Sequence, residues 1–151
     1  MNWILKKFDD LLPDELYTIM QLRNEVFVVE QTCAYQDADN KDQNSWHLMG
    51  WQNDKLIAYT RLLPPGIAYA EEPSIGRVVT SPSARGGGIG RKLMEKSIAE
   101  LYKLFGETSI KIGAQLYLLK FYTSLGFQQT GDVYLEDNIE HVEMVKPQPF
   151  S

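Results

Sequence analysis

The sequence carries one cysteine, Cys33, in 151 residues. A lone thiol excludes an internal disulfide and a cysteine-rich zinc site. As a nucleophile it would need a histidine partner. His47 and His141 lie far from it along the chain, so spacing neither supports nor excludes that role. A buried or incidental thiol is expected. No hydrophobic run is long enough to span a membrane. The opening segment, MNWILKKFDD, is too charged and too short in its apolar run for a signal peptide. A cytoplasmic protein without membrane contact is expected. Basic residues are scarce: 15 Lys and Arg against 20 Asp and Glu give a net charge of −5. No basic face for nucleic acid is visible in that balance. Repeats, low-complexity segments and long linkers are absent as well.

What remains is a globular composition, 44% hydrophobic and 23% charged. A chain of this length buries one core without disulfides or metal. One domain over residues 1–147 and a short tail at 148–151 are expected. Residues 2–8 read as a strand. Pro13 opens a helix, where its missing N–H costs nothing. Leu16, Ile19, Met20, Arg23, Val26 and Phe27 follow at helical spacing, and this helix should reach about Glu30. The polar stretch 31–45 is a loop. Residues 46–51 and 56–63 form an antiparallel hairpin about Asn53 and Asp54. Further strands are expected at 74–81, 108–114, 127–134 and 141–146, with helices at 90–105 and 116–125. Gly126 caps the second of these helices. The order specifies an α/β domain with a mixed central sheet, and a right-handed parallel crossover over 74–114.

Residues 85–90 read RGGGIG between a strand and a helix. Consecutive glycines let the backbone turn sharply and present its N–H groups. At a helix N-terminus those donors favour an anion, and a pyrophosphate fits. A P-loop would need Lys and then Ser or Thr after the last glycine. Arg91 and Lys92 stand there instead. A dinucleotide fingerprint beginning at Gly86 and Gly88 meets Arg91 where glycine is required.

Arg85, Gly88 and Gly90 fit the pattern R/Q-x-x-G-x-G/A, and the chain here resembles the GNAT family of N-acetyltransferases. Val78, Val79, Thr80 and Pro82 resemble that family's pantetheine-binding strand. Phe121, Tyr122, Gly126 and Phe127 resemble its FYxxxGF helix. FVVEQ at 27–31, YQDAD at 35–39, IGRV at 75–78 and GAQ at 113–115 are similar to an ElaA-like branch. The resemblance spans nearly the whole chain. It implies a GNAT-like mixed sheet flanked by helices, with acetyl-CoA as acyl donor and no metal. The pyrophosphate would rest on the N–H groups of Gly86, Gly87, Gly88, Ile89 and Gly90, headed by Arg85. The pantetheine arm would pair with Val78, Val79 and Thr80 like an added strand. The opening would lie between residues 78–80 and 111–114.

The implied reaction is direct attack of a primary amine, on a small molecule or a peptide, at the thioester carbonyl. The amine must first lose a proton. The oxyanion needs a donor, such as the N–H of Val79 or a neighbour. Tyr122 matches the general acid that protonates the leaving thiolate. A tyrosine beside Phe121 is otherwise core packing. Tyr117 is a weaker substitute. For the acceptor side, Glu30, Asp37, Asp39 and His47 lie in or beside the covering loop, and an acidic loop suits a cationic amine. Each alone reads as solvated or structural, and water could be the base. Asp37, Asp39 and Asp42 invite a calcium reading, but Lys41 and Leu48 stand where an EF-hand needs ligands. Arg77, unusual on an apolar strand, either pairs with an acid or holds an acceptor carboxylate. A coenzyme A-binding sensor on the same fold and a longer-chain acyltransferase are the alternatives. A homodimer is compatible with the sequence, though no apolar stripe demands one.

Overall fold

Residues 46–63 are buried in nearly unbroken runs on both faces, and this stretch forms the middle of a sheet. In the computed structural model, which describes residues 1–149, β2 (Trp46–Gln52) and β3 (Lys55–Leu63) form the expected hairpin. Residues 150 and 151 of the expected tail lie outside the described residues. The strand β1 (Asn2–Lys7) pairs antiparallel with β2, and β4 (Ser74–Thr80) pairs antiparallel with β3. A second antiparallel sheet has the order β5 (Ile110–Gln115), β7 (Ile139–Lys146), β6 (Gln128–Glu136). Asp137 and Asn138, with φ of 51° and 62°, make the tight turn between β6 and β7. Both residue types tolerate that left-handed conformation.

The central sheet opens between β4 and β5, where the resemblance places the gap, and so forms two antiparallel sheets. β4 and β5 start side by side, where the Lys111 N–H donates to the Pro73 carbonyl at 3.1 Å. They do not continue as ladder partners. A bulge in β4 contributes to the divergence. Tyr59 faces Val79 and Arg61 faces Gly76, so Arg77 and Val78 share the place opposite Thr60. Arg77 takes a left-handed φ of 49° to do so. A bulge bends its own strand and increases local twist.

Helices cover the two faces differently. α2 (Ile89–Phe105) buries Ile89, Leu93, Met94, Ser97 and Leu101, spaced three or four apart. With α3 (Leu119–Ser124) it packs on one face, where Leu62, Ile75, Ile112, Ala114, Tyr122, Val142 and Met144 meet. α1 (Pro13–Arg23) covers the other face of the first sheet with Ile19 and Leu22 against Met49, Tyr59 and Val79. The first helix was expected to run regularly to Glu30. It is α-helical only to Arg23 and continues as a π-helical segment, Asn24–Glu30. The N–H groups of Gln31 and Cys33 donate five residues back, to Val26 and Val28, at 3.1 Å each. Such wide turns often occur at functional sites. α3 ends in a Schellman motif: Phe127 N–H reaches Tyr122 O at 3.1 Å and Gly126 N–H reaches Thr123 O at 3.0 Å. Gly126 supplies the left-handed φ of 99° that the motif needs.

Candidate active site

The gap between β4 and β5 opens into a cavity of about 880 Å³. Val78, Val79 and Thr80 line one wall, and Ile112, Gly113, Ala114 and Gln115 the other. The phase of the β4 ladder decides which backbone groups are free. Ser81 N–H donates to Ile57 O at 2.8 Å, toward β3. Thr80 O accepts from Arg85 Nη2 at 3.3 Å, on the other side. Alternation then directs the polar groups of Val79 into β3 and those of Thr80 into the gap. Arg77 and Val78, at the bulge, fall outside the regular ladder. Thr80 is thus better placed than Val79 to donate into the cavity.

At one end of this gap stands the glycine turn. Gly88 caps α2 in a left-handed conformation, φ 75° and ψ 17°, and Gly86 has φ 98°. A Cβ placed on Gly86, Gly87, Gly88 or Gly90 would meet nothing within 4 Å. Among the described residues, no N–H from Arg85 to Gly88 donates to the backbone. The first N–H groups of α2, beginning at Ile89, lack intrahelical acceptors by geometry. The turn is an open cradle of donors at a positive helix end. Arg85 heads it, forming a two-pronged ion pair with Glu30 at 2.7 and 2.8 Å. That pair spans the exposed rim from the glycine turn to the π-helical segment. Arg85 draws the Glu30 carboxyl below its usual pKa, chiefly through these hydrogen bonds.

Tyr122 projects from α3 into the same cavity. Its ring is buried edge-on against Phe121 and Phe127, with centroids 5.2 and 5.9 Å away. Its hydroxyl makes no hydrogen bond among the described residues and is not sealed from the cavity. Burial pushes its pKa above the usual tyrosine range, so it keeps its proton at neutral pH. A protonated phenol facing a cavity can donate. Tyr117 also lines the cavity but is 74% exposed, outside any positioning shell.

Across the sheet, the loop 31–45 is fixed by charge. Arg23 on α1 donates to Asp37 at 2.7 Å and to Asp42 at 2.8 Å, with its side chain fully buried. Arg61 on β3 donates to Asp39 at 2.8 and 2.9 Å and to Asp42 at 2.9 Å. Arg77 pairs with Asp37 at 2.8 Å and Asp39 at 3.3 Å. The Tyr35 hydroxyl donates to Asp37 at 2.9 Å, and the Arg77 guanidinium stacks on the Tyr35 ring. Three arginines meet three aspartates, and the charges cancel. Burial opposes ionisation of Asp39 and Asp42, but the arginines outweigh it and hold both carboxyls below the usual range.

His47 lies beneath this network, fully buried. Its Nε2 is 2.9 Å from the Asp42 carbonyl oxygen, which only accepts, so Nε2 carries the hydrogen. Nδ1 then accepts from the Tyr59 hydroxyl at 2.6 Å. Burial holds this imidazole below its usual pKa and neutral. His47 does not line the cavity.

The acceptor-side candidates are thereby sorted by position. Glu30, Asp39 and Arg77 line the cavity, while Asp37 and His47 stand behind its wall. Asp37, Asp39 and Arg77 belong to one ion-pair network, so of the two readings of Arg77 the acid-paired one is observed. Sequence reasoning missed Arg23, Arg61 and Asp42 as the partners. A signal existed for Arg23: a cation at helical spacing among Ile19, Met20, Val26 and Phe27. It also missed the cavity residues Tyr69, Tyr134 and His141. No local pattern marks these, because they converge from three separate segments. Cys33 is half-buried, and its Sγ donates to the Asp137 carbonyl at 3.3 Å.

A splayed sheet with a donor-rich glycine turn at one end is the geometry that the family resemblance implies for this α/β domain. The acetyltransferase (GNAT) domain profile matches residues 13–147, and the chain belongs to that family. Protein ElaA of Escherichia coli is 38% identical over 148 residues, 97% of this chain and 96% of that one. The ElaA crystal structure superposes with a TM-score of 0.89. The crystal structure of an acyl-CoA N-acyltransferase from Pseudomonas aeruginosa is 42% identical with a TM-score of 0.90, covering 97% of this chain and 99% of that one. An aminoglycoside 6'-N-acetyltransferase complexed with coenzyme A, 18% identical with a TM-score of 0.70, shares the fold. Among the described residues, no helix is long and apolar enough to cross a membrane.

Proposed function

We propose that this protein transfers the acetyl group of acetyl-CoA to a primary amine by direct attack. The observation that carries this reading is the unpartnered Tyr122 hydroxyl in a cavity that runs between β4 and β5. The glycine turn fits the donor: four glycines leave room, and their N–H groups have no other partner. Arg85 adds charge toward the pyrophosphate. The Thr80 backbone faces the cavity, with its carbonyl accepting from Arg85, and suits strand-like pairing with the pantetheine arm. The N–H of Thr80 suits the developing oxyanion. Tyr122 holds a proton for the departing sulfur. Acetyl-CoA supplies the activated acyl group, and the chain positions and protonates. The acceptor is a small-molecule or peptide amine reaching the face covered by the loop 31–45. A cytoplasmic enzyme drawing on the coenzyme A pool is the setting this reading takes.

Calorimetric titration with acetyl-CoA, beside NADH and ATP, tests the donor site. Selective micromolar binding is expected, and Gly88→Val should abolish it, because a branched residue resists the left-handed turn. A folded protein that binds no acetyl-CoA overturns the reading. Tyr122→Phe separates catalysis from binding. Acetyl-CoA affinity should persist, while turnover falls about 10²- to 10⁴-fold.

A further inference from the structure

The chain has two histidines, and the structure sets them in opposite states. His47 has both ring nitrogens engaged and does not reach the cavity. His141, on β7, lines the cavity. Its Nδ1 is 2.8 Å from the Ile139 carbonyl oxygen, which can only accept. Nδ1 therefore carries the hydrogen, and the Nε2 lone pair is free. Nε2 has no partner at hydrogen-bond distance and is not sealed from solvent. The Glu136 carboxylate lies 3.6 Å from it, and the Tyr134 ring stacks on the imidazole at 5.8 Å.

The sheet also fixes which side His141 serves. His141 faces Gln115 in the β5 ladder and Tyr134 in the β6 ladder. The next residue, Val142, packs in the core that contains Tyr122. Strand side chains alternate between faces, so His141 and Tyr122 stand on opposite sides of the sheet. Both line the one cavity that passes between β4 and β5. A base on one side and an acid on the other suit a transfer between two substrates that meet from opposite faces.

We infer that His141 is the general base that takes a proton from the acceptor ammonium, with Glu136 beside it to attract that cation. This rests on the acyltransfer reading above. The acceptor R–NH3⁺ gives one proton to His141 Nε2. The freed lone pair forms the C–N bond, and the C–S bond breaks. The thiolate takes the Tyr122 proton. The surplus proton on the new amide nitrogen restores Tyr122 through water, and His141 releases its own to solvent. The balance is one amide, one thiol and one proton. The other groups facing His141 are Tyr134 on β6, Asp137 in the turn, Gln115 on β5 and Tyr69, whose hydroxyl lies with that of Tyr134 over Gly113. The cation on this face of β5, Lys111, lies over the Tyr69 ring and pairs with Glu143 at 3.7 Å, while the carboxylate beside His141 is that of Glu136.

Diethyl pyrocarbonate labelling, read by mass spectrometry, tests the placement without knowledge of the acceptor. His141 should be modified and His47 spared, and acetyl-CoA binding should be unchanged. Labelling of His47 ahead of His141, or of neither, overturns the inference. Turnover is then read with spermidine, phenethylamine and a lysine-containing peptide as acceptors. His141→Gln should lower kcat/KM about 10²- to 10⁴-fold with acetyl-CoA affinity and unfolding midpoint retained. The parent should lose kcat/KM as pH falls, and the variant should lack that acidic limb. Free imidazole should partly rescue His141→Gly. A His141→Gln variant with parental turnover and pH profile overturns the inference alone. Loss of acetyl-CoA binding in the parent chain overturns the acyltransfer reading instead.

Discussion

The two sides of the cleft treat polar groups in opposite ways. On the side of the loop 31–45, three arginines and three aspartates pair their charges, with Arg61 Nε and Arg77 Nε the nitrogens of that cluster left without a hydrogen bond among the described residues, and His47 is bonded at both nitrogens. On the side of the glycine turn, backbone donors and the Tyr122 hydroxyl are left without partners. Buried polar groups normally pair. A cluster whose charges are paired with one another is therefore scaffold, however many charges it holds. Unsatisfied donors in an open cavity are where a ligand gains free energy. The acidic residues that drew attention in the sequence hold the wall of the site in place.

This contrast can be broken most severely at Arg23. Arg23→Ala leaves Asp37 and Asp42 buried without their main cation, and should cost about 3–5 kcal/mol in urea unfolding. If stability barely moves, the network is not the scaffold described. A smaller loss follows from acid. Asp39 and Asp42 have folded-state pKa values depressed below their unfolded ones. Their contribution is complete above the unfolded carboxylate value near 4 and is lost as pH falls through the folded values. His47, also depressed, contributes fully above about 6.5 and less below it. Unfolding midpoints should thus fall in two stages on acidification, with the upper stage absent in His47→Gln. Gly126→Ala strains the cap of α3 and should cost about 1–2 kcal/mol in thermal unfolding. The smallest effect is expected at the exposed rim. Glu30→Gln should change stability by less than about 1 kcal/mol, because an exposed ion pair is screened by water. It also frees Arg85, so titration should show acetyl-CoA affinity unchanged or modestly raised, most clearly at low salt.

Much of the fold was legible. The tight turn at Asn53 and Asp54, Pro13 at a helix start and Gly126 at a helix end are local signals with local causes. Periodicity located α2, whose buried face follows from positions three and four apart. The glycine turn was legible too, since strand, glycines and helix are contiguous. The π-helical segment was not. Its wide turns satisfy the same apolar spacing at Val26 and Phe27 as an α-helix would. The gap between β4 and β5 was legible only through the family resemblance, and the bulge beside it was hidden, because an extra residue in a ladder leaves no mark in SIGRVVT.

By itself the sequence determined the element order, the donor-side turn and the exclusion of disulfide or P-loop chemistry, because each depends on neighbours in the chain. Only the tertiary structure decided which charges are spent on each other. Arg23, Arg61 and Arg77 reach Asp37, Asp39 and Asp42 from α1, β3 and β4. It also decided which histidine is free. His47 and His141 are the same residue type, and what separates them is the set of acceptors and donors that folding brings within 3 Å of each ring.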